Sequence, residues 1–243
     1  MKNNHSNSLR NARDIEALNI LAIGDCNTCG IGNQNVPDML SQHLRTYRNM
    51  EINVTNLGAA MHTSREGMER VQEATSSGTR LLLLSFGLVD AWITSIPKLY
   101  ISYYPDNPIK RQGRKLLKSL KKKLRSQTLR KLIPVGPVVE EHEFRANVSQ
   151  IIEELLTTTP QLKILIWGAA PTQDEARNAI LNRYDEILRD TATRYNGRYL
   201  DTKEIVKPFP RERMFDDAVH LSEEACQLVA KAMLPLAEEL LKQ

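Results

Sequence analysis

Apolar residues along this chain follow two rhythms. Nearly unbroken runs at 19–24 (NILAIG), 80–86 (RLLLLSF) and 162–167 (LKILIW) read as strands buried on both faces. Residues 51–57 alternate through Ile52, Val54 and Leu57, and 198–201 reads as a further short strand. Between them, apolar positions recur at helical spacing over 36–47, 138–158 (Phe144, Val148, Ile151, Ile152, Leu155) and 173–195 (Ile180, Tyr184, Ile187, Leu188). A short helix is predicted over 64–75, and a closing one over 222–242, bent at Pro235. Alternation of strand and helix predicts an α/β fold, a three-layer α/β/α sandwich around a five-stranded parallel sheet in flavodoxin-like order. One domain is expected over 17–243, after a disordered tail at 1–16. In such sheets functional groups gather at the carboxyl ends of the strands, which directs attention to the residues after Ile23, Leu57, Phe86, Trp167 and Leu200.

The composition, 41% hydrophobic and 26% charged over 243 residues, is that of an ordinary globular protein. There is no run of 18 apolar residues, so no membrane-spanning helix is expected. The polar, Asn-rich start lacks the apolar stretch of a secretory signal. Three cysteines suit a reducing compartment, and a cytoplasmic location is expected.

Charge changes the picture. The net +4 hides a segment, 97–135, with twelve Lys or Arg against one acid, Asp106, giving that segment +11 and the rest −7. Leu116, Leu120 and Leu124 fall on one face of a basic amphipathic helix predicted over 111–133. Three readings stay open for this helical insertion. It can pack its leucines on the core or act as a lid, it can lie on an anionic membrane surface at the inner face of the membrane, or it can bind nucleic acid. Nucleic acid is the weakest of these, because no aromatics interleave the charges and no DNA-binding motif accompanies them, and no such partner is expected.

The strand ends carry the chemistry. After the first strand comes Gly24-Asp25-Cys26-Asn27-Thr28-Cys29-Gly30-Ile31-Gly32, after the second Asn56-Leu57-Gly58, and after the third Gly87-Leu88-Val89-Asp90. Asp217-Ala218-Val219-His220 precedes the last helix. In these blocks the chain resembles the SGNH, or GDSL, hydrolase family, whose opening Gly-Asp-Ser-x-Thr-x-Gly-x-Gly is matched at every fixed position except that Cys26 replaces the serine. Met61 stands where a second glycine is common, and Val89 where the third block has asparagine.

That resemblance implies an esterase or O-acyltransferase. Cys26 would stand as nucleophile, His220 as base and Asp217 as its orienter, acting on a small-molecule or glycan acyl ester, on a polysaccharide or lipid-linked precursor. It implies neither metal nor diffusible cofactor. The oxyanion would be held by the backbone N–H groups of Cys26 and Gly58, while Val89 cannot supply the third donor; Asn27 and His62 are the nearby substitutes. Cys26 itself has three readings. Beside His220 and a helix N-terminus its thiol would be lowered and nucleophilic. Without the serine, the protein would instead bind glycan or lipid without turnover. With Cys29 it forms a C-x-x-C, the layout of a thiol–disulfide oxidoreductase. Asp25 and Asp90 are expected to cap loop N–H groups.

Overall fold

A computed structural model describes residues 17–30, 34–74, 78–103, 106–123 and 134–242. The tail expected at 1–16 and the insert helix beyond residue 123 lie outside the described residues. Five parallel strands, β1 (Leu18–Gly24), β2 (Ile52–Asn56), β3 (Thr79–Ser85), β6 (Lys163–Trp167) and β7 (Arg198–Leu200), lie in the order β2-β1-β3-β6-β7. A separate antiparallel pair, β4 (Ile93–Ser95) and β5 (Val135–Pro137), stands apart from the sheet.

The unbroken apolar runs are explained by what each face meets. Along β1, β3 and β6, residues Leu21, Ile23, Leu82, Leu84, Ile164 and Ile166 point into one buried cluster. Their neighbours Ile20, Ala22, Leu81, Leu83, Leu165 and Trp167 point into another. The first cluster is closed by α3 (Ser64–Val71), α5 (Glu141–Thr158) and α6 (Glu175–Arg194), the second by α2 (Val36–Arg48) and α9 (Glu223–Lys242). Side chains alternate across a strand, so a strand covered on both sides has no polar position to spare. The helix α9 runs on through Pro235. No described helix is long and apolar enough to cross a membrane.

The sheet order reverses between β1 and β3, since β1 leads outward to β2 and the chain then returns to the other side of β1. The crevice at such a reversal is where α/β sheets place their working groups. Gly24 stands at that point, where a Cβ would lie 2.3 Å from the Ser85 carbonyl oxygen. Only glycine lets the two strand ends approach so closely.

The insert leaves after β3 through β4 and returns through β5. Its helix α4 (Pro108–Lys123) does not bury its apolar stripe: Ile109 is 83% and Leu116 72% exposed.

Candidate active site

Beyond Gly24 the chain makes a single helical turn, α1 (Cys26–Cys29), capped by Asp25. The Asp25 carboxylate accepts from Asn27 N–H at 3.1 Å and from Leu88 N–H at 3.2 Å, tying the end of β1 to the loop after β3. Within that loop Asp90 accepts from the Ser64 N–H and hydroxyl at 2.8 and 2.7 Å, and from Gly87 N–H at 3.2 Å. Both acids thus cap loop N–H groups, as their positions suggested. Burial raises Asp25 to about 6 and Asp90 to about 7, against the pull of these hydrogen bonds.

Cys26 stands on this turn with only 6% of its surface exposed. Burial, then the neighbouring Asp25 and Cys29, push its thiol well above the usual value. The expectation of a lowered thiol is therefore corrected. One turn sums too few peptide dipoles to favour an anion strongly, and the carboxyl of Asp25 stands next to it. Cys26, Cys29 and Cys226 are all free thiols.

The second block clamps α1 from the side. Asn56 Nδ2 donates to the Thr28 carbonyl at 2.9 Å, and a Cβ on Gly58 would meet the Cys29 amide nitrogen at 2.6 Å. The Gly58 N–H, expected as an oxyanion donor, already donates to Asn56 Oδ1 at 2.9 Å. His62 is buried, its N–H directed to the Ala59 carbonyl at 3.3 Å.

The fourth block is assembled as a unit. Asp217 Oδ1 accepts the N–H groups of Val219 and His220, each at 2.8 Å, and Oδ2 lies 2.6 Å from His220 Nδ1. Slight burial opposes ionisation, but these N–H groups and the imidazole outweigh it and hold Asp217 at about 2. The carboxylate is charged throughout the neutral range, and the second ring nitrogen, Nε2, is left for other partners. Leu221 N–H donates to Asn27 Oδ1 at 3.3 Å, which seats the His220 loop against α1. Asn27 is buried, and its Nδ2 has no hydrogen-bond partner among the described residues.

One residue here carried no motif. Arg177, near the start of α6, donates through Nη2 to the Leu88 carbonyl and lies with its Cζ 5.6 Å above the Trp92 ring. Its Nε is buried without a hydrogen-bond partner. Burial weakens its hold on the proton, while Asp25 and Cys26 strengthen it.

Residues 22–228 match the GDSL-like lipase/acylhydrolase family. The chain belongs to that family. GDSL-like acylhydrolases break ester bonds, and this one shares their fold with solved structures of low sequence identity. A lipase/acylhydrolase from Enterococcus faecalis is 15% identical over 93% of this chain and 96% of its own, with a TM-score of 0.62. A catalytic mutant of an acetylxylan esterase from Geobacillus stearothermophilus is 19% identical over 90% and 93%, with a TM-score of 0.60. An alpha/beta hydrolase enzyme from the metagenome of Lake Arreo is 16% identical over 92% and 96%, with a TM-score of 0.62. No curated protein sequence matches the chain. Val89 in this acylhydrolase is a buried side chain with no hydrogen to donate.

Proposed function

We propose that this acylhydrolase removes or transfers a small O-acyl group borne by a glycan, with Cys26 as nucleophile, His220 as base and Asp217 as its orienter. The observation that carries the reading is the Asp217–His220 pair at 2.6 Å, seated beside α1 by the Leu221–Asn27 bond. A resting thiol that keeps its proton acts as a serine would. Sγ attacks the ester carbonyl as Nε2 takes the thiol proton, and Asp217 stabilises the imidazolium. The tetrahedral intermediate expels the alcohol, which receives that proton, and leaves a thioester on Cys26. Water, or a second hydroxyl in acyl transfer, then gives its proton to Nε2 and releases the acyl group. Two donors compensate for Val89: the Arg177 guanidinium on the Leu88 carbonyl, and the unpartnered Asn27 Nδ2. The acetylated-glycan substrate is supported by the likeness to the acetylxylan esterase.

The test is p-nitrophenyl acetate turnover. Cys26→Ala is expected at background, and Asp217→Asn lower by about 10²–10⁴-fold, the worth of a positioned base. Equal rates for wild type and Cys26→Ala would overturn the reading in favour of glycan or lipid binding without turnover. Insulin reduction that needs both Cys26 and Cys29 would favour the redox reading. Arg177→Lys keeps the charge but loses the Nη2 donor on the Leu88 carbonyl, and is expected to lie between wild type and Arg177→Gln in kcat.

The reading extends to a peripheral contact with anionic membrane through the segment 111–133, described as helix α4 as far as Lys123, in the cytoplasm. The exposed Ile109, Leu116 and Leu120 on α4, flanked by lysines, support it. Co-sedimentation with anionic vesicles at low salt, absent with neutral ones, is expected; protein left in the supernatant with both would remove this part.

A further inference from the structure

A cavity of about 580 Å³ opens between α4 and the segment that carries Trp92 and Thr94, within the range of small-molecule sites, about 300–1,000 Å³. One wall is a single face of α4, where Arg111, Lys115, Lys118 and Lys122 follow at steps of four, three and four residues. Arg114 and Lys121 stand beside them, and Trp92, Tyr100 and Tyr103 form the aromatic side. Among the described residues no acidic side chain lines this cavity.

The helix is fixed with this face toward the cavity. Gly113 packs on Ile101 so closely that a Cβ would lie 2.9 Å from its Cδ1. Arg114 donates to the Ser102 carbonyl at 2.9 Å, and Lys110 to the Ser102 hydroxyl at 3.2 Å. Asp106 neutralises part of the charge, pairing with Arg111 at 2.6 Å and with Arg114. Lys121 reaches the Thr94 hydroxyl at 2.9 Å. Among the described residues Lys115, Lys118 and Lys122 have no carboxylate partner. Like charges one turn apart on a helix repel, and an anion in the cavity relieves that repulsion.

The ligand's shape follows from the lining. The three unpaired lysines span about 10 Å of helix, longer than one phosphate and matched to two linked ones. Lysine binds phosphate as a point charge from any direction, while an aromatic face takes a ring by stacking. The basic face is turned into a concavity rather than out to a flat surface, and it is separate from the exposed leucines. Trp92 belongs to both regions: it lines the cavity and lies under Arg177, which grips the Leu88 carbonyl.

We propose that this cavity binds the diphosphate of a phosphorylated carrier, with a ring of that carrier stacked on Trp92, and so delivers an acyl ester to the loop 87–92. Its purpose rests on the acyl-ester reading, but its binding does not. The diphosphate can belong to a soluble nucleotide or to a lipid-linked carrier, since both present the same group.

The experiment follows tryptophan fluorescence of the full chain, in which Trp92 is half-exposed and Trp167 buried, on titration with pyrophosphate, ADP and orthophosphate. Saturable quenching by pyrophosphate and ADP is expected, weaker by orthophosphate and weakened by salt. The double variant Lys115→Gln/Lys118→Gln is expected to raise Kd by about tenfold or more. Lys231→Gln, on the exposed side of α9, leaves it unchanged. ADP tighter than pyrophosphate identifies a nucleotide. ADP no tighter than pyrophosphate, with tight binding to vesicles that carry a polyprenyl diphosphate sugar whose sugar supplies the ring, identifies a lipid carrier. Absence of saturable quenching by both pyrophosphate and ADP, or an unchanged Kd in the double variant, overturns the inference. So does binding confined to phosphatidylglycerol vesicles. Cys26→Ala is expected to bind as wild type, so loss of the esterase reading and loss of this one are told apart.

Discussion

The backbone N–H of Leu221 donates to Oδ1 of Asn27 at 3.3 Å, joining the loop of His220 to the turn of Cys26 across nearly the whole chain. The two halves of the proposed nucleophile–base pair come from opposite ends of the sequence, and this bond ties together the segments that carry them. Asn27→Ala would leave the Leu221 N–H buried and unpaired, at a cost of about 1–3 kcal/mol. Turnover is expected to fall by more than the loss of folded protein accounts for, with KM little changed. Thermal melts run beside p-nitrophenyl acetate kinetics check this, and unchanged kcat would show that the bond positions nothing.

Thiol labelling separates the three cysteines. Cys26 and Cys226 are buried, and burial drives both thiols up, Cys226 to about 12. Cys29 is half-buried and also raised, by burial first and then by Asp25. Iodoacetamide at neutral pH is expected to modify Cys29 first, with Cys26 no faster than Cys226, as peptide mass mapping will read. Rapid labelling of Cys26 would mean a thiolate at rest and a different first step.

Stability is expected to fall as pH rises toward neutrality. Asp25 and Asp90 have folded values of about 6 and about 7, above the ordinary 3.8. The folded chain therefore holds these protons more tightly than the unfolded one. Their contribution is complete below the ordinary value and is lost as pH climbs through the two folded values. Urea unfolding at about pH 5 and about pH 8 is expected to differ by a few kcal/mol, on the order of 2–4. Asp90→Asn flattens the slope; a slope identical to wild type would place this titration elsewhere.

Val89→Asn restores an amide donor at the third block. One oxyanion donor is worth about 2.7–4 kcal/mol in the transition state, but with Arg177 and Asn27 in that role kcat is expected to change by less than about tenfold. The same change buries an amide in place of a well-packed Val89, and Tm is expected to drop. A gain in kcat of about 10²-fold or more would show that Arg177 and Asn27 do not fill the role.

The sheet was legible because a strand covered on both faces writes itself as an unbroken apolar run, as in β1 and β3. The pair β4–β5 was not, because three residues are too few for a period to show. The blocks at Asp25, Asn56, Gly58 and Asp90 were legible as local motifs, and their hydrogen bonds explain the residue types. Arg177 was invisible: it sits in a helix with no motif, and only packing brings it onto the Leu88 carbonyl. The direction of the Cys26 thiol was misread for a similar reason. Burial is a property of the assembled crevice, and the one-turn length of α1 cannot be read from its four residues.

Ser95 and Val135 stand opposite each other in β4–β5, and Ile96 N–H meets the Pro134 carbonyl at 2.8 Å. The span from 96 to 134 therefore leaves and returns through a single doorway, while Val138 and Val139 pin that doorway to the carbonyls of Trp92 and Asp90 at 3.0 and 3.1 Å. The span is held at this threshold and, among the described residues, also by the Tyr100 hydroxyl on the Met61 carbonyl at 3.1 Å; beyond those holds it behaves as a cartridge. Another of different length and charge can be seated in the same frame without stretching the chain. The length and charge of the span can then change while the ends of β1 and β3 stay where they are.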